Sequence, residues 1–156
     1  VVAHVHQGAI DVLGPVVDPR TVHQSKFSMG TALALAAQHG HAGLNEFDAE
    51  FQSAATQALR DKVTMVLDEE VDTAYPARWI GKVSVTTTDG RTLHGRVDEP
   101  KGDPGNTLSR DEITAKALRL AAWSGGASEM EVRQVVDALW QVVDWPRVGM
   151  LLKGAA

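Results

Sequence analysis

The chain has 156 residues, of which 44% are hydrophobic and 22% charged, so it can bury one core of ordinary size. Its formal net charge of -5, without a long run of like charges, argues against nucleic acid as a partner. It has no cysteine, which excludes disulfides and thiolate chemistry and favours the cytoplasm. Because no apolar stretch is long enough to span a bilayer, we expect no membrane partner.

The first six residues alternate between Val or Ala and half-polar positions, which predicts a β-strand. Because the chain lacks an initiator Met and opens inside this predicted strand, we expect it to be a fragment of a longer protein. Turn-forming residues from Gly14 to Pro19 then predict a loop.

Two helices are predicted next. The Ala- and Leu-rich run from Ser28 to His39 contains no Pro and is followed by Gly40, which is typical of a buried helix with a glycine at its end. A second helix is predicted with Asn45 as its N-cap, since apolar residues recur at spacings of three and four as far as Leu59.

The central part of the chain has the pattern of a sheet. Residues 63–67 predict one strand, and residues 82–97 contain two β-rich runs separated by Asp89 and Gly90. This dipeptide predicts a hairpin with a type I′ turn, in which both central residues have positive φ.

Helical patterns follow a Pro- and Gly-rich segment. Capping boxes at Ser109 with Glu112, and at Ser128 with Glu131, predict the starts of two helices. We therefore expect an α+β fold, with a small, mostly antiparallel sheet and packed helices, followed by C-terminal helices. The expected boundaries are an α+β domain at 1–100, a linker at 101–108 and helices at 109–156.

Two pairs of histidines offer a possible metal site. His4 and His6 would lie on one face of the first strand, and His39 and His41 flank the end of the Ala-rich helix. Structural roles are the favoured interpretation, because nothing in the sequence brings the pairs together and a histidine near a helix C-terminus is stabilised by the helix dipole. No metal ligand is predicted.

The segment before the Ala-rich helix is the candidate binding site. Arg20, His23 and Lys26 precede a helix N-terminus, where free N–H groups and the helix dipole favour an anion, and Ser28 stands at the start of the helix. Ordinary solvated charges and a plain N-cap serine are the alternative explanation. Sequence motifs of serine hydrolases, nucleotide-binding loops and zinc proteases are absent, and no catalytic residue is predicted.

Two stretches together resemble the MmgE/PrpD family. Residues 22–29 are similar to the family's A-K-F-S segment at the start of an Ala-rich helix, and Gly43 to Phe47 follow at the expected interval. Tyr75-Pro76, the 83–93 hairpin and a P-K-G-D-P-x-N run at 100–106 follow in order. Thr107, where the family commonly has Pro, and Ala117, where an aromatic residue is usual, depart from the pattern.

The resemblance implies a lid-like α+β unit of an enzyme. Members of this family dehydrate 2-methylcitrate, decarboxylate cis-aconitate or epimerise iminodisuccinate, by acid/base chemistry beside a carboxylate and without a cofactor. The resemblance therefore implies a small polycarboxylate substrate, no cofactor, a helical domain missing from this chain that carries the catalytic base, and a homodimer. It also implies that this chain is inactive by itself. Arg20, His23, Lys26 and Ser28 are then the expected substrate-binding residues.

Two other interpretations remain open. In the first, the chain is a non-catalytic lid-like module that serves assembly or regulation. In the second, it is a small metal-binding protein built on the two histidine pairs.

Overall fold

A computed structural model describes residues 1–146 and divides the chain into two units, Val1–Asn106 and a second that begins at Thr107. The first unit contains β1 (Val2–Val5), α1 (Gln7–Leu13), α2 (Val22–Ser25), α3 (Met29–His39), α4 (Leu44–Glu50), α5 (Ala54–Arg60), β2 (Thr64–Leu67), α6 (Glu69–Ala74), β3 (Gly81–Thr86) and β4 (Thr92–Val97). The second contains α7 (Arg110–Ser124), α8 (Glu129–Trp140) and a 3-10 turn (Val142–Asp144).

The four strands form one sheet in the order β2-β1-β3-β4. β1 runs parallel to β2 and antiparallel to β3, and β3 runs antiparallel to β4. A mostly antiparallel sheet with packed helices, followed by C-terminal helices, confirms the predicted α+β class.

The core of the first unit lies against one face of this sheet. Alternate residues of β1, Ala3 and Val5, are buried, because successive side chains of a strand point to opposite faces. Leu35 on α3 is fully buried, and α3 packs beside α5. The other buried apolar side chains of the described residues are Pro19, Ala34, Phe47, Val71 and Ile80.

The helix predicted from Ser28 to His39 is confirmed. The Ser28 hydroxyl accepts a hydrogen bond from the Thr31 N–H, and Gly40 ends the helix with a φ of 75°. A left-handed residue at this position favours glycine, which has no Cβ to clash.

The single helix predicted after Asn45 is wrong, because the structure has two, α4 and α5. Gly43, not Asn45, is the N-cap of α4, and its N–H donates to the Glu46 carboxylate at 2.9 Å. Ser53 starts α5 by accepting a hydrogen bond from the N–H of Thr56. A capping side chain of this kind competes with continuation of the helix, which explains the break at 51–53.

The hairpin is confirmed, but its turn is not type I′. The N–H of Thr87 donates to the Arg91 carbonyl at 2.9 Å, and the N–H of Gly90 donates to the Thr87 carbonyl at 3.0 Å. Gly90 has a φ of 85°, and no non-glycine residue between 1 and 146 has a positive φ. The loop therefore has three residues with glycine in the left-handed position, another common way to connect antiparallel strands.

Three short helices, α1, α2 and α6, were missing from the prediction. α2 lies in the segment before the Ala-rich helix, for which no helix was predicted, and its N-cap Thr21 accepts a hydrogen bond from the N–H of Gln24. α1 follows β1 directly, and its N-cap is His6, whose Nδ1 accepts from the N–H of Ala9 at 3.1 Å. α6 is capped by Asp68, which accepts from the N–H of Val71 at 3.1 Å.

The second unit begins its helices as predicted. Ser109 with Glu112, and Ser128 with Glu131, form capping boxes at the starts of α7 and α8. Neither helix has a buried residue. The Arg110 guanidinium lies 4.7 Å from the centre of the Trp140 ring. Within residues 1–146, no helix is long and apolar enough to cross a membrane.

Candidate functional site

A pocket of about 640 Å³ lies beside the N-terminus of α3. One wall is apolar and comes from α1 and the residues after it. The rest of the lining comes from the first turn of α3, the end of α5 and the residues that lead into β2. The lining residues used below are Ile10, Leu13, Val16, Val17, Ser28, Met29, Gly30, Arg60, Asp61 and Met65.

Ser28 is the one predicted site residue that lines this pocket. It is buried, and its hydroxyl oxygen accepts hydrogen bonds from the N–H of Thr31 at 3.3 Å and from the Thr31 hydroxyl at 3.0 Å. The side chain therefore serves the helix start. The same cap leaves the N–H groups of Met29 and Gly30 without an acceptor among residues 1–146.

The three predicted cations lie outside the pocket lining and are exposed. The Arg20 guanidinium pairs with Asp18 at 2.6 Å. The His23 ring packs against Phe27 with 5.2 Å between ring centres, and Lys26 stands at the C-terminal end of α2. The structure thus separates these three side chains from Ser28, although all four belong to one short segment.

Arg60, which the sequence did not single out, is the cation that lines the pocket. It is the last residue of α5 and is only 8% exposed. One guanidinium nitrogen donates to Asp18 at 3.2 Å, whereas Nε has no hydrogen-bond partner among residues 1–146. A basic residue in the last turn of a helix is common because of the helix dipole, so nothing in the sequence indicates that Arg60 is buried.

Gly30 allows the start of α3 to approach Arg60 closely. A Cβ atom at Gly30 would lie 2.8 Å from Cγ of Arg60, closer than van der Waals contact allows. The absence of a side chain at this position lets the start of α3 lie against Cγ and the backbone of Arg60. The start of α3 and the end of α5 therefore line the pocket together.

The polar face of the sheet carries a second cluster. His4 Nε2 lies 2.9 Å from the Ser84 hydroxyl, which lies 3.0 Å from His94 Nδ1, and His4 Nδ1 lies 3.8 Å from Asp68. The order of groups is that of a serine nucleophile, a base and a carboxylate. However, Ser84 lies on a strand paired on both sides, where backbone N–H groups belong to the sheet and cannot form an oxyanion hole. We interpret the row as cross-strand hydrogen bonding.

Salt bridges lie beside the row of His4, Ser84 and His94. Arg96 donates two hydrogen bonds to Glu70, at 2.7 and 3.0 Å, and its guanidinium, with help from Lys82, lowers the pKa of Glu70 to about 2. The Lys82 ammonium donates to Asp68 at 2.9 Å and lowers the pKa of that carboxyl, while Glu70 and Asp68 raise the pKa of Lys82. These carboxylates remain ionised near neutral pH and cannot serve there as general acids.

The histidine pairs do not form a metal site in the part of the chain described. His6 caps α1 and stacks on Tyr75 with 3.9 Å between ring centres, instead of joining His4 on the strand. His41 lies 3.0 Å from the His39 carbonyl and 3.2 Å from Glu46. From residue 1 to 146, no three His, Asp or Glu residues are grouped so that they can hold a metal ion.

One known protein family matches this chain over most of its length. The model of the family described as MmgE/PrpD C-terminal domain matches residues 1–142, which covers nearly all of the described chain. Comparison with curated proteins gives no match. The chain belongs to the MmgE/PrpD family and corresponds to its C-terminal domain.

Proposed function

We propose that this chain is the C-terminal lid of a cofactor-free lyase or isomerase that acts on a small polycarboxylic acid. The observation that carries the proposal is the family match over residues 1–142, which extends through the first unit and most of the second. The family is generally enzymatic, with dehydratase- or isomerase-like activities. We further propose that the enzyme works in the cytoplasm and forms a homodimer.

The chemistry proposed is removal or delivery of a proton beside a carboxylate. It requires a base with a pKa near the working pH, and donors that neutralise the substrate carboxylates as charge develops. This chain contributes the donors, at the start of α3 and in the preceding segment with Arg20, His23, Lys26 and Ser28. The base belongs to the helical domain.

The helical domain is also the proposed partner of α7 and α8. Leu120 on α7 is 43% exposed, and Met130, Val135 and Leu139 on α8 are 69%, 46% and 45% exposed. Apolar side chains that recur along a helix without burial are typical of a surface that another element covers. Contact with the helical domain would bury them and complete the enzyme.

Turnover with the helical domain supplied in trans tests the proposal. The chain, a family helical domain and their mixture are each incubated with 2-methylcitrate, cis-aconitate or iminodisuccinate. Dehydration is measured by formation of the new carbon–carbon double bond. Decarboxylation is measured by release of CO₂, and epimerisation by the change in optical rotation. We expect one of these reactions in the mixture and none with either part alone.

Each other result contradicts the proposal in a distinct way. A stable complex that converts none of the three acids makes the chain a non-catalytic lid-like module. Turnover by the 156-residue chain alone places the base in this chain, so that the assignment of the base to the helical domain is wrong. A matched control uses the chain with Leu139→Asp, which places a charge on the exposed face of α8 and should weaken the complex.

A further inference from the structure

We infer that β4 is the contact between two copies of this chain, which join edge to edge as antiparallel strands and extend one sheet into the other. The homodimer itself belongs to the proposed function, on which this inference rests. The place of the contact rests on the free edge of β4, on the side chains of that strand and on the symmetry of the pairing.

The first observation is a strand edge with unused backbone groups. β4 has six residues, all exposed, and it pairs with β3 on one side and with no strand of the described chain on the other. The N–H of Thr87 donates to the Arg91 carbonyl, so the backbone groups of Arg91 point toward β3, as do those of every second residue after it. The groups of the intervening residues point outward. These residues are Thr92, His94 and Arg96.

Such an edge is a template for another strand, because its N–H and C=O groups alternate at the spacing that a second strand offers. Proline and bulges are two usual protections of an edge. β4 has no proline, and its pairing with β3 runs from Thr92 to Val97 without a bulge. The outer edge of β4 is therefore open to pairing along its whole length.

A second β4 is the occupant that the sheet favours. The other free edge of the four-stranded sheet, within the residues described, is that of β2. A contact of β4 with β2 joins two different surfaces, so it would repeat from copy to copy into a ring or a fibre. A contact of β4 with β4 joins a surface to itself and closes at two copies. β2 is also shorter, with four residues, and lies beside α1.

The side chains of β4 favour one register of this symmetric pair. With Gly95 on the two-fold axis, Leu93 lies opposite Val97 of the partner subunit, and this contact occurs twice in the dimer. Leu93 and Val97 are 52% and 50% exposed, so the pairing covers two apolar side chains of each copy. With His94 on the axis instead, Leu93 would face a glycine and would gain little contact.

The surroundings of the strand agree with this register. Arg91 precedes β4 and Glu99 follows it, and the register places them opposite each other, so that pairs of opposite charge flank the apolar contacts. Val97 also lines an apolar groove of about 620 Å³ together with Trp79, which is 53% exposed. Leu93 of the partner subunit would lie beside this groove and cover part of it.

Sedimentation of the 156-residue chain over a range of concentrations is the first test. We expect an equilibrium between monomer and dimer, with no larger species. Leu139→Asp should leave this equilibrium unchanged, because α8 is not part of the contact. A chain that stays monomeric, a fibre, or a dimer that Leu139→Asp abolishes overturns the inference.

Two proline variants locate the contact. Thr92→Pro removes an outward N–H and places a ring where the second strand would lie, but it keeps the pairing with β3. Because the change occurs twice in a dimer, we expect the Kd of the dimer to rise about tenfold or more. Leu67→Pro is the matched control at the β2 edge. The N–H of Asp68 donates to the Val5 carbonyl at 3.0 Å, so that of Leu67 faces away from β1. Here the Kd should stay within about twofold. Equal losses in both variants contradict a contact at β4.

Two cysteine variants test the register, since the chain has no cysteine of its own. Leu93→Cys in one copy and Val97→Cys in the other would lie opposite each other, with their Cα atoms about 4.5 Å apart and within reach of a disulfide. We expect oxidation of the mixed variants to give a covalent dimer, and oxidation of either variant alone to give little. This measurement stays decisive if Thr92→Pro does not fold. No covalent dimer from the mixture, or as much from each variant alone, overturns the contact.

Failure of this contact is distinguishable from failure of the proposed function. A dimer that forms through β4 in the reconstituted mixture without turnover of any of the three acids contradicts the function alone. A mixture that turns over substrate and remains dimeric with Thr92→Pro contradicts the contact alone.

Discussion

The two units of this chain differ in how their structure is held. All the buried apolar side chains of the described residues, from Ala3 to Ile80, lie in the first unit. The second unit has capping boxes at both helix starts but no buried residue in α7 or α8. The starts of α7 and α8 were therefore predictable from their capping residues alone, without a core. In the first unit a core forms although several helix boundaries were not predicted.

The polar contacts follow the same division. In the first unit, Arg96 pairs with Glu70 and Arg60 pairs with Asp18, which lie 26 and 42 residues away in sequence. In the second unit, the salt bridge of Arg133 is with Glu129, one helical turn away. We therefore expect the first unit to unfold cooperatively. In the second unit, a salt bridge within α8 does not by itself fix how α8 packs against α7, to which it is joined by the contact of Arg110 with the Trp140 ring.

The largest expected effect comes from removing a core side chain. Leu35→Ala should lower the free energy of unfolding by about 2–5 kcal/mol, because Leu35 is fully buried and its neighbours cannot fill the space. Leu120→Ala is the control, since Leu120 is 43% exposed on α7, and about 0.5 kcal/mol is expected. Urea unfolding followed by circular dichroism measures both. A loss at Leu120 as large as that at Leu35 would mean that the second unit has a core.

Loss of a helix cap should be the intermediate effect and should differ between the units. Ser128→Ala and Ser53→Ala each remove an N-cap hydroxyl, which costs about 1 kcal/mol of helix stability. We expect α8 to lose helix in its first turns, because no burial supports it. The helix α5 should remain, because it packs against α3. The ¹³Cα chemical shifts of each helix measure this difference, and equal fraying of both helices contradicts it.

Much of the fold was predictable because its signals are local. Gly40, the capping serines and the hairpin glycine each act within a few residues, and the elements that they mark were confirmed. The helix break at 51–53 was missed, since Ser53 also fits the interior of an amphipathic pattern. His6 was interpreted as a strand residue, and its role as the cap of α1 depends on where β1 stops.

The candidate site was less predictable because it joins distant segments. The sequence identified the start of α3 as favourable to an anion, and that helix start does line a pocket. It also pointed to Arg20, His23 and Lys26, which are near α3 in sequence but exposed. Arg60 lies 30 residues beyond Gly30, and only the packing of α3 beside α5 brings the two together.

The smallest expected effect is a difference in acid sensitivity. The Arg96 guanidinium lowers the pKa of Glu70 from 4.5 to about 2, so folding favours the ionised carboxylate. The resulting stabilisation is fully present above about pH 4.5 and is lost as the pH falls from there through about 2. Glu70→Gln should therefore lower the free energy of unfolding at about pH 6. It should also make that free energy decrease less as the pH is lowered toward about 3. The effect should be small, because both side chains are about half exposed.

Glu131→Gln is the matched change in the second unit, where the hydroxyl and N–H of Ser128 lower the pKa of Glu131. Its expected effect on stability has the same sign as that of Glu70→Gln, but the contacts of Glu131 lie within one helical turn. We therefore expect it to change the acid sensitivity of α8 and leave the unfolding of the first unit unaltered. Urea unfolding of both variants at the two pH values, followed through amide signals of each unit, measures the difference. If Glu70→Gln changes α8 as much as it changes the sheet, the two units unfold together, and the contrast between distant and nearby pairing does not determine their stability.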